Sequence, residues 1–344
     1  MGLLDGLRVL DLTMWRPGPY ATLLLAQHSA DVLKVEPPGG EPMRAFPGHF
    51  GPLNRHKRSV VLDLKDERDR ARCHELAAGA DAVVEGYRPG VADRLGVGHA
   101  ALRARNPALV YCSLSGYGAS GPLSETPGHD VNYRALAGAL PADAPTPSAD
   151  DLPLADMAAA ATAAFAITAA CLRARETGAG ERLDLGLADV LANWVATVPS
   201  ARRRGDGPGE RPLPGYGVYR ARDGRVTLGV VSEQRLWDAT CAALGLDHRV
   251  GVPFAERLRD ASALDREITD TVAALDRDEA LALLARHGAP AAPCLTREEA
   301  ARHPHFRERG VIDGSPFRTE VHAPRTGGAA PELDGHRGLD WPRR

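Results

Sequence analysis

The chain has 344 residues, 44% of them hydrophobic and 25% charged, with 42 Lys and Arg against 45 Asp and Glu for a net charge of -3. That length allows two domains with a substantial buried core, the composition excludes a disordered, collagenous or coiled-coil chain, and the charge leaves no basic footprint for nucleic acid. Cys73, Cys112, Cys171, Cys241 and Cys294 are scattered and never form a CxxC pair, which fits a reduced, cytoplasmic compartment.

The first ten residues place Asp5 where a signal peptide is apolar and lack its basic start, so no such peptide is expected. Residues 7–12 alternate and are β-rich, and Pro17-Gly18-Pro19 opens a helix over residues 20–30. A strand at 31–36, a Gly/Pro loop, a strand at 59–64, a charged helix at 66–80, a strand at 81–87, short helices through 106 and a strand at 108–114 follow. Strands alternating with helices imply a largely parallel sheet covered on both faces, hence an α/β, Rossmann-like large domain. Gly116 to Gly121 matches G-x-G-x-x-G after a strand, but Pro122 and more loop follow where a helix N-terminus would have to hold a pyrophosphate. The stretch therefore reads as a turn near the active site, and NAD or FAD is not expected.

Helices at 129–140 and 156–176, a strand at 182–187 and a helix at 188–198 complete this domain. The apolar run 157–172 is shorter than the ~20 residues a bilayer span needs and reads as a buried helix. Residues 200–214 form a basic Gly/Pro-rich linker whose Arg202-Arg203-Arg204 run reads as a solvated face. Beyond it the pattern changes. Segments 215–221 and 225–231 flank Arg222-Asp223-Gly224, a hairpin signal, and helices at 232–244, 261–275 and 277–287 precede a strand near 291–295. The expected organisation is a large domain at 1–199, a linker at 200–214, a small α+β domain at 215–315 and a return segment at 316–344.

The chemistry is placed at Gly128-His129-Asp130-Val131-Asn132-Tyr133, taken with Asp156, because an imidazole and two carboxylates there stand at the starts of predicted helices and lack metal-ligand spacing. On the residues alone, Asp156 before an Ala-rich run is also a natural N-cap, His129 is one of 12 histidines, and Glu233 at a helix start suits the macrodipole.

Several blocks in order resemble CoA-transferase family III (CaiB/BaiF-like), which includes the α-methylacyl-CoA racemases. They are Leu-Arg-Val-Leu-Asp-Leu at 7–12, Pro-Gly-Pro-Tyr-Ala-Thr at 17–22, the 30–38 block ending in Val-Glu-Pro-Pro, and Lys-Arg-Ser-Val-Val-Leu-Asp-Leu-Lys at 57–65. Residues 88–96, 115–122 and 288–294 continue the series. The Gly-His-Asp-Val-Asn-Tyr block is similar to the racemase branch, and the resemblance implies that His129 transfers a proton. Asp156 matches an aspartate that both branches share, a nucleophile in the transferases and the second acid/base in the racemases. Pro37 stands where racemases often carry an arginine for CoA.

The resemblance implies an interlocked homodimer with the acyl-CoA between the large domain of one subunit and the small domain of the other. It also implies an acyl-CoA thioester as partner, handled without metal or redox cofactor, while the charge and the short apolar run speak against nucleic acid and membrane as partners. Arg44 and Arg88 are implied for CoA, Leu62, Asp63, Leu64 and Lys65 for its pantetheine or adenine, and Glu233 as an acid supporting His129. The expected activity is 1,1-proton transfer at the carbon α to the thioester, which needs two bases held at different proton affinities. If His129 starts a helix, the Asp130 N–H can receive the enolate oxygen, beside Gly128 and Tyr133. The alternatives are a family III CoA-transferase with Asp156 attacking the thioester and a non-catalytic acyl-CoA-binding protein.

Overall fold

A computed structural model describes residues 2–140, 147, 151–198 and 213–312, and in the C-terminal tail 314, 317, 319, 322, 324–336, 340 and 341. The linker run Arg202 to Arg204 lies outside the described residues. The chain divides into two compact units, Met1–Pro199 with Glu308–Arg344 and Ser200–Arg307.

The first unit is built on six strands, β1 (Arg8–Leu12), β2 (Asp31–Glu36), β3 (Arg58–Val61), β4 (Ala82–Glu85), β5 (Val110–Ser115) and β6 (Arg182–Gly186). They lie in the order β3-β2-β1-β4-β5-β6, and every neighbouring pair is parallel. This is the doubly wound order whose strand direction of travel reverses between β1 and β4. The strands are covered on both faces, as a parallel sheet requires, so Val9, Leu10, Val83, Val84 and Val110 are all fully buried.

The helices of this unit are α1 (Pro17–Gln27), α2 (Pro47–Asn54), α3 (Glu67–Ala78), α4 (Val91–Arg94), α5 (His99–Arg103), α6 (Asp130–Leu136), α7 (Leu154–Thr177) and α8 (Leu187–Ala196). Pro17 opens α1 where a missing N–H costs nothing, and the Asp66 side chain caps α3 by accepting from Arg68 N and Asp69 N. The α7 helix buries Ala155, Ala159, Ala163, Ile167 and Cys171, a stripe of mostly small side chains that lets it lie close against α1 and β5.

Three expectations change. The Gly/Pro stretch after β2 is a 3-10 turn at Pro42–Ala45 followed by α2, because Met43, Phe50 and Leu53 form a small core of their own. The helix expected at 129–140 stops at Leu136, with His129 as its N-cap. The apolar helix runs 24 residues, so it is long and apolar enough to cross a membrane by length and composition, and the argument from shortness fails. What places it in the core is its buried stripe.

The tail packs on the same unit: Trp341 Nε1 donates to Leu76 O at 2.7 Å, Asp340 pairs with Arg72 at 2.7 Å, and Asp334 accepts from Val61 N at 2.9 Å.

The second unit carries the hairpin β7 (Tyr216–Arg220) and β8 (Arg225–Gly229), with β9 (Ala291–Pro293) antiparallel on β8. Around it lie α9 (Gln234–Ala243), α10 (Phe254–Arg259), α11 (Ala261–Ala273), α12 (Arg277–His287) and α13 (Arg297–Arg302), and α14 (Pro304–Arg309) follows at its boundary. Trp237, Ile268, Val272 and Leu284 fill its core. Helices α10, α13 and α14 were not expected; each has six residues, too few for a full apolar stripe. The α10 helix supplies Arg257, which is 1% exposed, stacks on Trp237 and Phe254, and donates to Val231 O and Ser232 O at 3.1 Å each. It thereby fixes the turn that ends at Glu233.

Candidate active site

The segments leaving β1, β4 and β5 at their C-terminal ends open a cleft of about 480 Å³ at the strand-order reversal, where doubly wound sheets bind their ligands. Met14, Trp15, Pro17 and Gly18 follow β1, Gly86 to Pro89 follow β4, and Ser115 and Gly116 end β5. His129, Asn132, Tyr133, Asp156 and Leu187 close it from the helical side. Of the residues expected from the sequence, the cleft brings together Arg88, Gly128, His129, Tyr133 and Asp156.

His129 has an extended backbone at the N-cap of α6, and its own N–H is taken by Asn132 Oδ1 at 3.0 Å. Its side chain is exposed at the cleft. Among the described residues none accepts from the Asp130 N–H at the head of α6.

Tyr133 is buried and donates its hydroxyl to Gly128 O at 2.6 Å, with its ring edge-on to Tyr117. Burial pushes its phenol up to about 12, so it stays protonated. Gly128 and Gly116 both press on this ring, and a Cβ on Gly116 would come within 2.5 Å of the Tyr133 hydroxyl. Neither position has room for a side chain.

Asp156 sits at the third position of α7. The helix starts two residues earlier than the sequence suggested, so Asp156 is not its N-cap; that place is taken by Pro153, which makes no side-chain cap bond. The first turn is capped from elsewhere: Asp130 Oδ1 accepts from Ala155 N at 2.7 Å and Asp156 N at 3.2 Å. Burial, reinforced by the Asp130 charge and opposed by Arg16, pushes the Asp156 carboxyl up to about 7 from its ordinary 3.8.

The folded protein binds this proton more tightly than the unfolded chain, so the contribution of Asp156 is full below pH 4 and is lost as the pH rises through about 7. Each pH unit of that gap is worth ~1.4 kcal/mol, and partial access to solvent lowers the total to about 2–3 kcal/mol. Asp156→Asn should therefore be nearly neutral at pH 4 and stabilising by about that amount at pH 8. Urea melts at the two pH values check it, and an equal effect at both would refute a buried charge.

A second, smaller cleft of about 160 Å³ follows β2 and β3 and shares Met14 and Tyr87 with the first. Leu62, Asp63, Leu64 and Lys65 line it together with Val35 and Pro37.

Arg44 has a different place from the one expected. It lines neither cleft, lies over the Phe50 ring, and is held by Glu36 through two bonds of 2.6 Å and by Pro331 O at 3.1 Å. Its charge is already matched by a buried carboxylate. Glu233 belongs to the second unit, where it is the N-cap residue of α9 and accepts from Val231 N at 3.0 Å; backbone hydrogen bonds hold its carboxyl below the usual range.

Sequence reasoning missed the wall formed by Met14, Trp15 and Tyr87. The available signal was their position just past β1 and β4, the two strands that flank the reversal. Trp15 has φ 66, a left-handed backbone that is uncommon for a side chain of this size, and its N–H is fixed by Glu41 Oε2 at 3.0 Å. The cysteines take no part: Cys73, Cys112, Cys171 and Cys241 are buried, and burial pushes the thiols of Cys73, Cys171 and Cys241 up to about 12.

Comparison with known proteins agrees over the whole chain. The family described as CoA-transferase family III matches residues 4–340. A succinyl-CoA:mesaconate CoA-transferase of Haloarcula hispanica is 33% identical, over 98% of this chain and 95% of that one. An alpha-methylacyl-CoA racemase of Homo sapiens is 30% identical, over 89% and 81%. Among solved structures, a hypothetical protein (Rv3272) from Mycobacterium tuberculosis superposes with a TM-score of 0.86 at 29% identity, covering 98% of this chain and 99% of that one. A CaiB/BaiF family protein from Brucella suis gives 0.83 at 27% identity, covering 97% of each.

Proposed function

Since the chain belongs to CoA-transferase family III, an enzyme family, we propose that it is an acyl-CoA racemase that inverts a 2-methyl-branched acyl-CoA at the carbon α to the thioester. The observation that carries this reading is that His129 and Asp156 line one cleft, the carboxyl having its pKa raised to about 7. A group that must accept a proton in one direction and donate it in the other works best with a pKa near the working pH.

In the proposed reaction one of the two groups takes the α-proton, the C–H electron pair moves into the enolate, and the other group delivers a proton to the opposite face. The Asp130 N–H is the candidate donor to the enolate oxygen. Arg88 and the 62–65 segment are the candidates for the CoA portion. Arg44, the other arginine the resemblance implies, has its charge paired with Glu36 and ranks behind them. Glu233 as a supporting acid and the homodimer rest on the resemblance, and the cytoplasmic location on the scattered cysteines.

The test is to incubate one epimer with the enzyme in heavy water. Deuterium should appear at the α-carbon together with the second epimer, and no exchange across a panel of branched thioesters would overturn the proposal.

A second reading is favoured by the relatives named CoA-transferases, which reach 33% identity. There Asp156 would attack the thioester carbonyl as a carboxylate, expel CoA thiolate and form a mixed anhydride. Hydroxylamine trapping of an acyl-enzyme, with CoA passing to a free acid, would establish it. Turnover of either kind removes a purely acyl-CoA-binding role.

A further inference from the structure

Asp130 follows His129 directly, yet its carboxylate is turned to another helix. Oδ1 receives the amides of Ala155 and Asp156, and Oδ2 stands 3.5 Å from Arg134. A helix leaves its first amides without internal partners, and Pro153 supplies no cap to α7. A residue 25 positions away in the chain fills that role.

We propose that Asp130 is a positioning residue for Asp156: it ties the helix headed by His129 to the helix carrying Asp156, and it sets a fixed negative charge beside the Asp156 carboxyl. The inference rests on the reading in which Asp156 exchanges a proton. Asn and Asp cap helices about equally well, so capping alone does not require a charge at this position. What the charge adds is its effect on Asp156, which burial raises most and Asp130 raises further.

The other groups around Asp156 bear on the same balance. Arg16, from the loop after β1, opposes the shift and is hydrogen-bonded to His49 at 3.2 Å. From α6, Tyr133 stays neutral and Arg134 pairs with Asp130. Arg88, from the segment after β4, and His129 share the cleft. On the side of β6 and α8, Asp184 accepts from Ala119 N at 3.0 Å, and Asp189 lies beside Gly118 and Gly186. Helix α1 has no carboxylate or cationic side chain, and burial raises the phenol of its Tyr20, which stays neutral.

The experiment is a titration of the full-length resting protein by carbon NMR with carboxyl-labelled aspartate, the Asp156 signal being assigned with Asp156→Asn. Asp130→Asn keeps an acceptor oxygen for both amides and removes the charge. It should lower the Asp156 midpoint by about one pH unit, and the corresponding limb of the pH–rate profile for α-proton exchange should move down with it. Asp130→Ser, a neutral cap of another shape, should give the same displacement and serves if the first variant does not fold. A midpoint unchanged in these variants would reduce Asp130 to a cap and overturn the proposal. Because the titration needs no substrate, a wild-type enzyme that exchanges no deuterium would remove the racemase reading while leaving this result to stand or fall separately.

Discussion

Replacing His129 by Ala should slow inversion at the α-carbon by 10²- to 10⁴-fold in both directions, the usual contribution of a positioned acid or base. Each direction needs one group to take the proton and the other to return one, so loss of either stops inversion. Exchange with solvent should separate the two halves. The epimer that gives its proton to His129 loses deuterium wash-in, whereas the epimer that gives its proton to Asp156 still exchanges without inverting. Asp156→Asn should show the mirror image, and the double variant should be little worse than either single one in inversion, since the pair acts as a unit, while losing exchange from both epimers. CoA transfer through an Asp156 anhydride behaves differently: Asp156→Asn abolishes it and His129→Ala largely spares it. Following deuterium and epimer ratio together in both variants decides between the two activities, and full inversion by His129→Ala would remove the two-base mechanism.

What the sequence conveyed follows from the range over which its signals act. The β-rich runs at 7–12, 31–36 and 108–114 and the helical spacing between them gave the parallel sheet, because alternation and periodicity are local. His129 and Asp156 could be singled out because their blocks resemble a family. The cap that Asp130 places on α7 is hidden from the sequence: it joins positions 25 residues apart, and on the residues alone Asp156 looks like the natural N-cap. The pairing of Arg44 with Glu36 is hidden for a related reason, since a resemblance names Arg44 for CoA but does not show the strand carboxylate beneath it. The α2 helix was missed because Pro47 and Pro52 argue for a loop, yet Pro47 stands at its first turn and Phe50 and Leu53 give it a core to pack on.

Lys57→Met should destabilise the first unit by about 3–5 kcal/mol, the typical cost of removing one partner from a buried ion pair. Lys57 lies at the centre of a buried polar cluster behind the cleft wall. Its three N–H bonds go to Asp11 Oδ2 at 3.1 Å, Pro19 O at 2.9 Å and Asn54 Oδ1 at 2.9 Å, which ties β1, α1 and α2 together. Asp11 is fully buried. Burial alone would raise its carboxyl, but Lys57, Lys34 and the hydroxyls of Thr13 and Thr22 together hold it well below the usual range. With Lys57 gone, Asp11 keeps Lys34 nearby but loses its directly bonded cation, and a buried charge short of its partner is the expensive outcome. Lys34, in turn, donates to Thr13 O at 2.7 Å and stands 3.4 Å from Glu41, whose other carboxylate oxygen holds Trp15 in its left-handed conformation. The loss should therefore reach the active site through the Met14 to Gly18 wall and raise KM for the thioester before the protein unfolds. Removing both partners, Asp11→Leu with Lys57→Met, should recover part of the stability, since a matched apolar pair costs less than a single stranded charge. Because the chain forms two units, each needs its own probe. Hydrogen exchange of the β1, α1 and α2 amides against those of α11 and α12 would isolate the effect, and equal loss of protection in both units, or none in the first, would contradict it.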